Sequence, residues 1–171
     1  MIGGDKPTDS IRVGINGEMD VLDVEPGATL MESLRSTGHY EVKNGCDEGV
    51  CGSCNVLLND GELTRSCLTP AARCDGADIT TVKGLLDDDG DLHPLQEEFL
   101  EHGAAQCGFC IPGVLVAAYH LLQHNSDPSD VEIADALSGN VCRCTGYLQQ
   151  LEAIRDAAGR LDQTEPMEAE Q

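Results

Sequence analysis

The placement of the cysteines constrains this chain more than any other feature. Eight of the nine fall into two sets of four with different spacings. The first is Cys46-x4-Cys51-x2-Cys54-x12-Cys67; the second is Cys107-x2-Cys110 followed, after 31 residues, by Cys142-x-Cys144. Four thiolates hold one iron–sulfur cluster or one zinc ion, so the fold must gather each set around a metal centre. The first spacing is that of a plant-type [2Fe–2S] loop. A four-cysteine zinc site is the alternative, but zinc knuckles use two separated C-x2-4-C pairs rather than three ligands on one glycine-rich loop. Two such centres in one small protein suggest a relay for single electrons.

The 171 residues suffice for one domain or two small ones. Residues 1–10 lack the apolar stretch of a signal peptide, and the longest apolar run, Ile111 to Leu122, falls short of the roughly 20 residues that span a bilayer. A soluble cytoplasmic protein without membrane insertion is expected. The odd cysteine count and the C-x2-C pair favour metal ligation over a disulfide scaffold. With 31 acidic against 10 basic residues the net charge is −21, a surface that repels nucleic acid and anionic membranes. Such acidity either steers basic partners or adapts the surface to a high-salt, halophilic cytoplasm. The second reading is favoured because the acid is spread along the whole chain.

In the N-terminal half, Ile11, Val13 and Ile15 alternate with polar or small residues, the period of a half-buried strand. Asn16-Gly17 signals a hairpin, and Met19 to Val24 forms its second strand. Thr29 and Glu32 make a capping box for a helix with Leu30 and Leu34 on one face and a stop at Gly38. In the loop Asn44 to Cys54, Gly45, Gly49 and Gly52 allow the close backbone approach that a cluster with hydrogen-bonded sulfides needs. A hairpin, Asn55–Asn59 and Glu62–Ser66 around Asp60-Gly61, returns Cys67 to that loop. Ile79, Thr81 and Val82 read as a closing strand, completing a ubiquitin-like β-grasp sheet.

Beyond the acidic run Asp87 to Asp91, read as a solvated linker, the pattern turns helical. Pro94 opens a helix carrying Leu95, Phe99 and Leu92 on its apolar stripe. Pro112 opens a second, apolar nearly all round and so buried. Ser129 and Glu132 box a third, which ends at Gly139. Leu148, Leu151, Ile154, Ala158 and Leu161 give a fourth its stripe. Cys107 and Cys110 precede the buried helix and Cys142 and Cys144 the last one, so two helix N-termini favour negative charge at the second centre. Cys74 reads as an ordinary thiol, and His120 with His124 as a polar face. His39, His93 and His102 show no pattern.

Gln106-Cys-Gly-Phe-Cys-Ile-Pro-Gly113, Gly139-Asn-Val-Cys-Arg-Cys-Thr-Gly-Tyr147 and the loop Cys46 to Cys54 resemble the cluster motifs of the molybdenum hydroxylase family, which includes xanthine dehydrogenases, aldehyde oxidoreductases and aerobic carbon monoxide dehydrogenases. The resemblance covers about residues 10–160, with Ile111 a departure where many members have Thr. It implies an α+β fold: an N-terminal β-grasp, ferredoxin-like [2Fe–2S] domain over 8–86, then a C-terminal four-helix-bundle [2Fe–2S] domain over 91–161. Residues 162–171 are expected to be a disordered acidic tail. The unit resembles the family's small, iron–sulfur subunit. It would pass single electrons from a molybdopterin centre on a large subunit, through two [2Fe–2S] clusters, to FAD on a medium subunit, and be catalytic only within that complex.

The cluster on Cys107, Cys110, Cys142 and Cys144 would face the pterin, with Cys144 nearest it and Gln106 hydrogen-bonding it. The cluster on Cys46, Cys51, Cys54 and Cys67 would face FAD. Arg143 would offset cluster charge or dock a partner, and no residue of this chain would act as acid, base or nucleophile. Carbon monoxide, aldehydes, purines and other N-heterocycles all stay open as substrates. A free-standing ferredoxin-like carrier or redox sensor is the alternative, one that needs neither the helical half nor the Gln106 motif.

Overall fold

A computed structural model describes residues 9–59, 61–86 and 90–164. The N-terminal half is a five-stranded sheet in which Glu18–Val24, Asp9–Ile15, Asp78–Thr80, Asn55–Leu58 and Glu62–Arg65 lie side by side in that order. Strands β1 (Asp9–Ile15) and β2 (Glu18–Val24) pair antiparallel, with Ile11 opposite Leu22 and Ile15 opposite Glu18. Their turn has φ of +52° at Asn16 and +85° at Gly17, the left-handed pair that a tight twisted hairpin requires. Helix α1 (Leu30–Ser36) begins at the expected capping box: Glu32 N–H donates to Thr29 Oγ1 and Thr29 N–H to Glu32 Oε2. Strands β3 (Asn55–Leu58) and β4 (Glu62–Arg65) form the second hairpin; Asp60 of its turn lies outside the described residues.

Strand β5 (Asp78–Thr80) runs parallel to β1 and antiparallel to β3. It ends before Thr81 and Val82, which were expected to belong to it. Thr81 instead caps a 3-10 turn, Val82–Leu85, by accepting from Lys83 N–H. The Thr81 hydroxyl also meets Asn16 Nδ2 and Glu41 Oε1, so side-chain bonds fix the chain where it leaves the sheet.

Four helices follow: α2 (Pro94–Glu101), α3 (Ile111–His124), α4 (Asp130–Leu137) and α5 (Leu148–Thr164). His93 caps α2 by accepting from Leu95 N–H, a role no sequence pattern announced. Leu92, 41% exposed, is not part of that helix's stripe. On α5 the buried face is Gln150, Ala153, Ile154, Ala157 and Ala158, whereas Leu148 is 59% exposed. Leu148 opens the helix, and the first turn of a packed helix buries the face that meets its neighbours rather than every apolar residue. Helix α5 continues to Thr164; residues 165–171 of the expected tail, and Asp87 to Asp89 of the linker, lie outside the described residues.

The halves have separate cores. Val13, Leu22, Leu30, Leu34, Val56 and Ile79 centre the first, which also takes in Cys54, Cys67 and Cys74. Leu95, Phe99, Val114, Ile133 and Ile154 centre the second, together with Cys110. The chain is thus α+β, a ferredoxin-like sheet followed by a helical half. No helix among the described residues is long and apolar enough to cross a membrane.

The halves meet closely. Helix α3 packs on β3, and a Cβ on Gly113 would collide with the Gly52 carbonyl. Gly52 itself has φ +70°, and its Cβ would lie 2.5 Å from the Gly139 carbonyl. Neither position tolerates a side chain, so backbone touches backbone there. Arg65, at the end of β4, secures this seam. Its guanidinium donates to the carbonyls of Gly49 (3.2 Å) and Gly139 (2.9 Å) and to Asn55 Oδ1. Asn55 Nδ2 in turn donates to Gly113 O at 3.1 Å and Asn140 Oδ1 at 3.3 Å.

Candidate metal centres

The first four cysteines converge where the loop after α1 meets the β3–β4 hairpin. Cys54 and Cys67 are buried, Cys46 and Cys51 half-buried. The Cys46 thiol lies within hydrogen-bonding reach of Cys51, and Cys67 of Cys54. Asp47 adopts a left-handed φ of +58°, which turns the following amides toward sulfur; Glu48 N–H donates to Cys46 Sγ at 3.4 Å. That bond, with further N–H donors including Cys51, holds the Cys46 thiol down at about 7. Burial, and then the neighbouring Cys54 thiol, push Cys67 up to about 11.

The second four converge around the start of α3 and the loop between α4 and α5. Cys110 is the residue just before α3 and is buried; Cys142 is half-buried; Cys107 and Cys144 are exposed. Cys110 reaches Cys142, and Cys107 reaches Cys144. Burial and the Cys142 thiol push Cys110 up to about 12. Burial also works against ionisation of Cys142, but donors outweigh it: the Thr145 hydroxyl at 3.1 Å and the N–H groups of Thr145 and Cys144 bring it to about 7. The hydrogen bond with Cys107 raises Cys144.

The same physics governs both sets. Thiols packed this closely resist joint ionisation, and only a cation among them lets all four become ligands. Soft sulfur donors, backbone N–H groups aimed at sulfur and a glycine-lined approach fit an iron–sulfur cluster at each set. The fold gathers Cys46, Cys51, Cys54 and Cys67 in one place and Cys107, Cys110, Cys142 and Cys144 in another. Cys74 sits apart in the first core, its thiol 3.8 Å from Pro70 O, and burial raises its pKa. His120 and His124 stack 4.5 Å apart on α3, with His124 Nδ1 2.8 Å from the His120 carbonyl. Gln106 and Arg143 are exposed beside the second set.

Three supporting groups had no role in the sequence reading. Tyr147, held at φ +69°, accepts Cys142 N–H on its hydroxyl at 2.8 Å and donates to the Asn140 carbonyl at 3.0 Å, clamping the Cys-x-Cys loop. Arg65 with Asn55 ties the first loop to both ligand segments of the second set, and no local pattern marks a seam between domains. Gln150 lies buried against Cys110 and Cys142; the one available signal was a polar residue interrupting the apolar stripe of α5.

The two sets also touch through the backbone. Cys51 O accepts from Val141 N–H at 2.9 Å, and Val141 directly precedes Cys142. A cysteine of one set is therefore one hydrogen bond and one peptide unit from a cysteine of the other.

Two family models match the chain in series: the 2Fe-2S iron-sulfur cluster binding domain over 13–81 and the [2Fe-2S] binding domain over 81–155. The chain is 46% identical over 158 residues to the nicotine 6-hydroxylase small subunit of Paenarthrobacter nicotinovorans, covering 91% of this chain and 94% of that one. It is 43% identical to the nicotinate dehydrogenase small FeS subunit of Eubacterium barkeri, covering 88% and 96%. A chain of the quinoline 2-oxidoreductase structure from Pseudomonas putida 86 superposes with a TM-score of 0.86 at 43% identity, covering 92% of this chain and 98% of that one.

Proposed function

From the membership of this chain in the family of molybdenum hydroxylase iron–sulfur subunits, which makes it the electron-transfer subunit of a multi-subunit oxidoreductase, we propose that it connects a molybdenum-binding large subunit to an FAD-binding medium subunit. Bound [2Fe–2S] clusters supply one-electron redox chemistry. We assign Cys46, Cys51, Cys54 and Cys67 to one cluster and Cys107, Cys110, Cys142 and Cys144 to the other. Residues 8–86 form the ferredoxin-like unit, and 91–161 form a four-helix bundle that carries the second set. The large subunit brings the molybdopterin, and Gln106 and Cys144 meet it; the exposure of Gln106, Cys107 and Cys144 on one side of the helical half supports that assignment. The medium subunit approaches from the first set. A cytoplasmic setting, where thiols stay reduced and able to take up iron, agrees with the assignment of eight cysteines to clusters.

What this chain contributes is position. Arg65 and Asn55 fix one ligand loop against the other, Tyr147 holds the Cys142 segment, and backbone N–H groups stabilise the thiolates. The observation that carries the reading is the 2.9 Å bond from Val141 N–H to Cys51 O, which joins the two ligand sets through a seam too tight for side chains. A relay needs two centres held at fixed spacing, and a chain with independent metal sites does not. Affinity purification of the tagged chain from its native host tests the partnership. Molybdenum and flavin should elute with it in fixed ratio to iron. Elution of the chain alone, with its iron, would reject the complex in favour of a free carrier.

A further inference from the structure

Gln150 is fully buried in the core of the helical half, on the same turn of α5 as Ala153 and Ile154. Its Oε1 has no hydrogen-bond partner, and a buried acceptor left unpaired destabilises the fold. A leucine or methionine would fill the same space without that cost. The Nε2 end shows what offsets it. Nε2 lies 3.4 Å from the Ala104 carbonyl, 3.8 Å from Cys142 Sγ and 4.0 Å from Cys110 Sγ. The reverse orientation would aim Oε1 at a carbonyl and two sulfurs, acceptors all, so the donor end must face them.

These two sulfurs are the inner pair of the second set; Cys107 and Cys144 lie on its exposed side. Gln150 has no solvent-accessible surface, so its amide dipole acts on the pair in a low-dielectric setting, where an N–H donor is strongest. Hydrogen bonds to ligand sulfur stabilise the extra negative charge of a reduced cluster and so raise its potential. We infer that Gln150 is a positioning residue that tunes the second centre: a buried amide donor shared between Cys110 and Cys142 that makes this centre easier to reduce than its ligand set alone would, at the expense of stability. The inference rests on the proposed assignment of a [2Fe–2S] cluster to this set. The first set has no contact with Gln150 and is not affected.

The test is a redox titration, followed by EPR, of the full chain purified with its iron, comparing wild type with Gln150→Met and Gln150→Leu. A wild type with only one cluster signal would remove the assignment itself. Given two signals, both variants should lower the midpoint of the second by a tenfold change in its reduction equilibrium or more (about 59 mV for one electron) and leave the first in place. Melting does not discriminate, because both variants lose the unpaired Oε1 and also leave the Ala104 carbonyl without its Nε2 donor. A purely structural glutamine leaves both potentials unchanged, and that result overturns the inference, as does an equal shift of both midpoints. If the variants do not hold iron, pulsed EPR of wild-type protein labelled with side-chain 15N-glutamine decides. A nitrogen coupling on the second signal is expected, and its absence refutes the assignment of the donor.

Discussion

Replacing Arg65 with Met removes the guanidinium that spans the seam between the two halves while keeping a side chain of similar reach. Three acceptors lose their donor: the carbonyls of Gly49 and Gly139 and the amide oxygen of Asn55. A buried acceptor left unpaired costs about 1–3 kcal/mol. Members of one network do not add in full, and Arg65 is only half-buried, so water takes over part of the loss. The net cost is then about 3 kcal/mol, which for a chain of this size lowers Tm by about 6–12 °C. Arg65→Lys keeps the charge but reaches one acceptor in place of a fork, and should fall between. The assay is thermal melting followed by cluster absorbance, paired with low-temperature EPR of the fully reduced protein. Because Gly49 and Gly139 flank ligands of different sets, the loosened seam should also change the magnetic interaction between the two signals. A Met variant with wild-type melting and an unchanged interaction would refute the idea that Arg65 fixes the spacing of the sets.

Tyr147→Phe leaves Cys142 N–H and the Asn140 carbonyl without their shared hydroxyl; a loss of about 1–3 kcal/mol is expected, read as lower melting and faster loss of iron to a chelator, and an unchanged rate would count against the clamp. Glu41 is buried, which works to raise its pKa, but its own N–H, His39 at 3.0 Å and Lys83 Nζ at 3.1 Å lower it overall. A carboxyl depressed in the folded state stabilises fully above its unfolded value of about 4.3 and loses that contribution as the pH falls through the lower folded value. The Tm gap between wild type and Glu41→Gln should therefore narrow only below about pH 4.3, and a gap constant through that window contradicts the assignment. With a net charge of −21 spread along the chain, Tm should rise from low to molar salt as self-repulsion is screened; salt-insensitive melting would remove the high-salt reading of the acidity.

Much of this architecture was legible because local chemistry dictated it. Asn16-Gly17 needs two left-handed residues and obtains them, and the boxes at Thr29 and Ser129 close as written. The cysteine spacings were readable because the first set shares one glycine-rich loop and its hairpin, while the second falls into two short pairs, each just before a helix. What stayed hidden depends on contacts remote in sequence. Arg65 meets Gly139 across 74 residues, and Asn55 meets Gly113 across 58. Thr81 leaves the strand because Asn16 and Glu41 hold its hydroxyl, which period-two alternation cannot register. Leu148 fits a helical stripe by spacing yet faces outward, and Gln150 breaks the stripe yet lies on the buried face against Cys110 and Cys142, a contact remote from anything the spacing of α5 can register.

Two separate four-cysteine sets, each holding a [2Fe–2S] cluster at fixed spacing within one subunit, should give separate signals in EPR of the dithionite-reduced protein, with iron quantified on the same sample. Two distinct signals with about four irons per chain are the predicted result. One signal with about two irons would leave the second set to another task and contradict the relay.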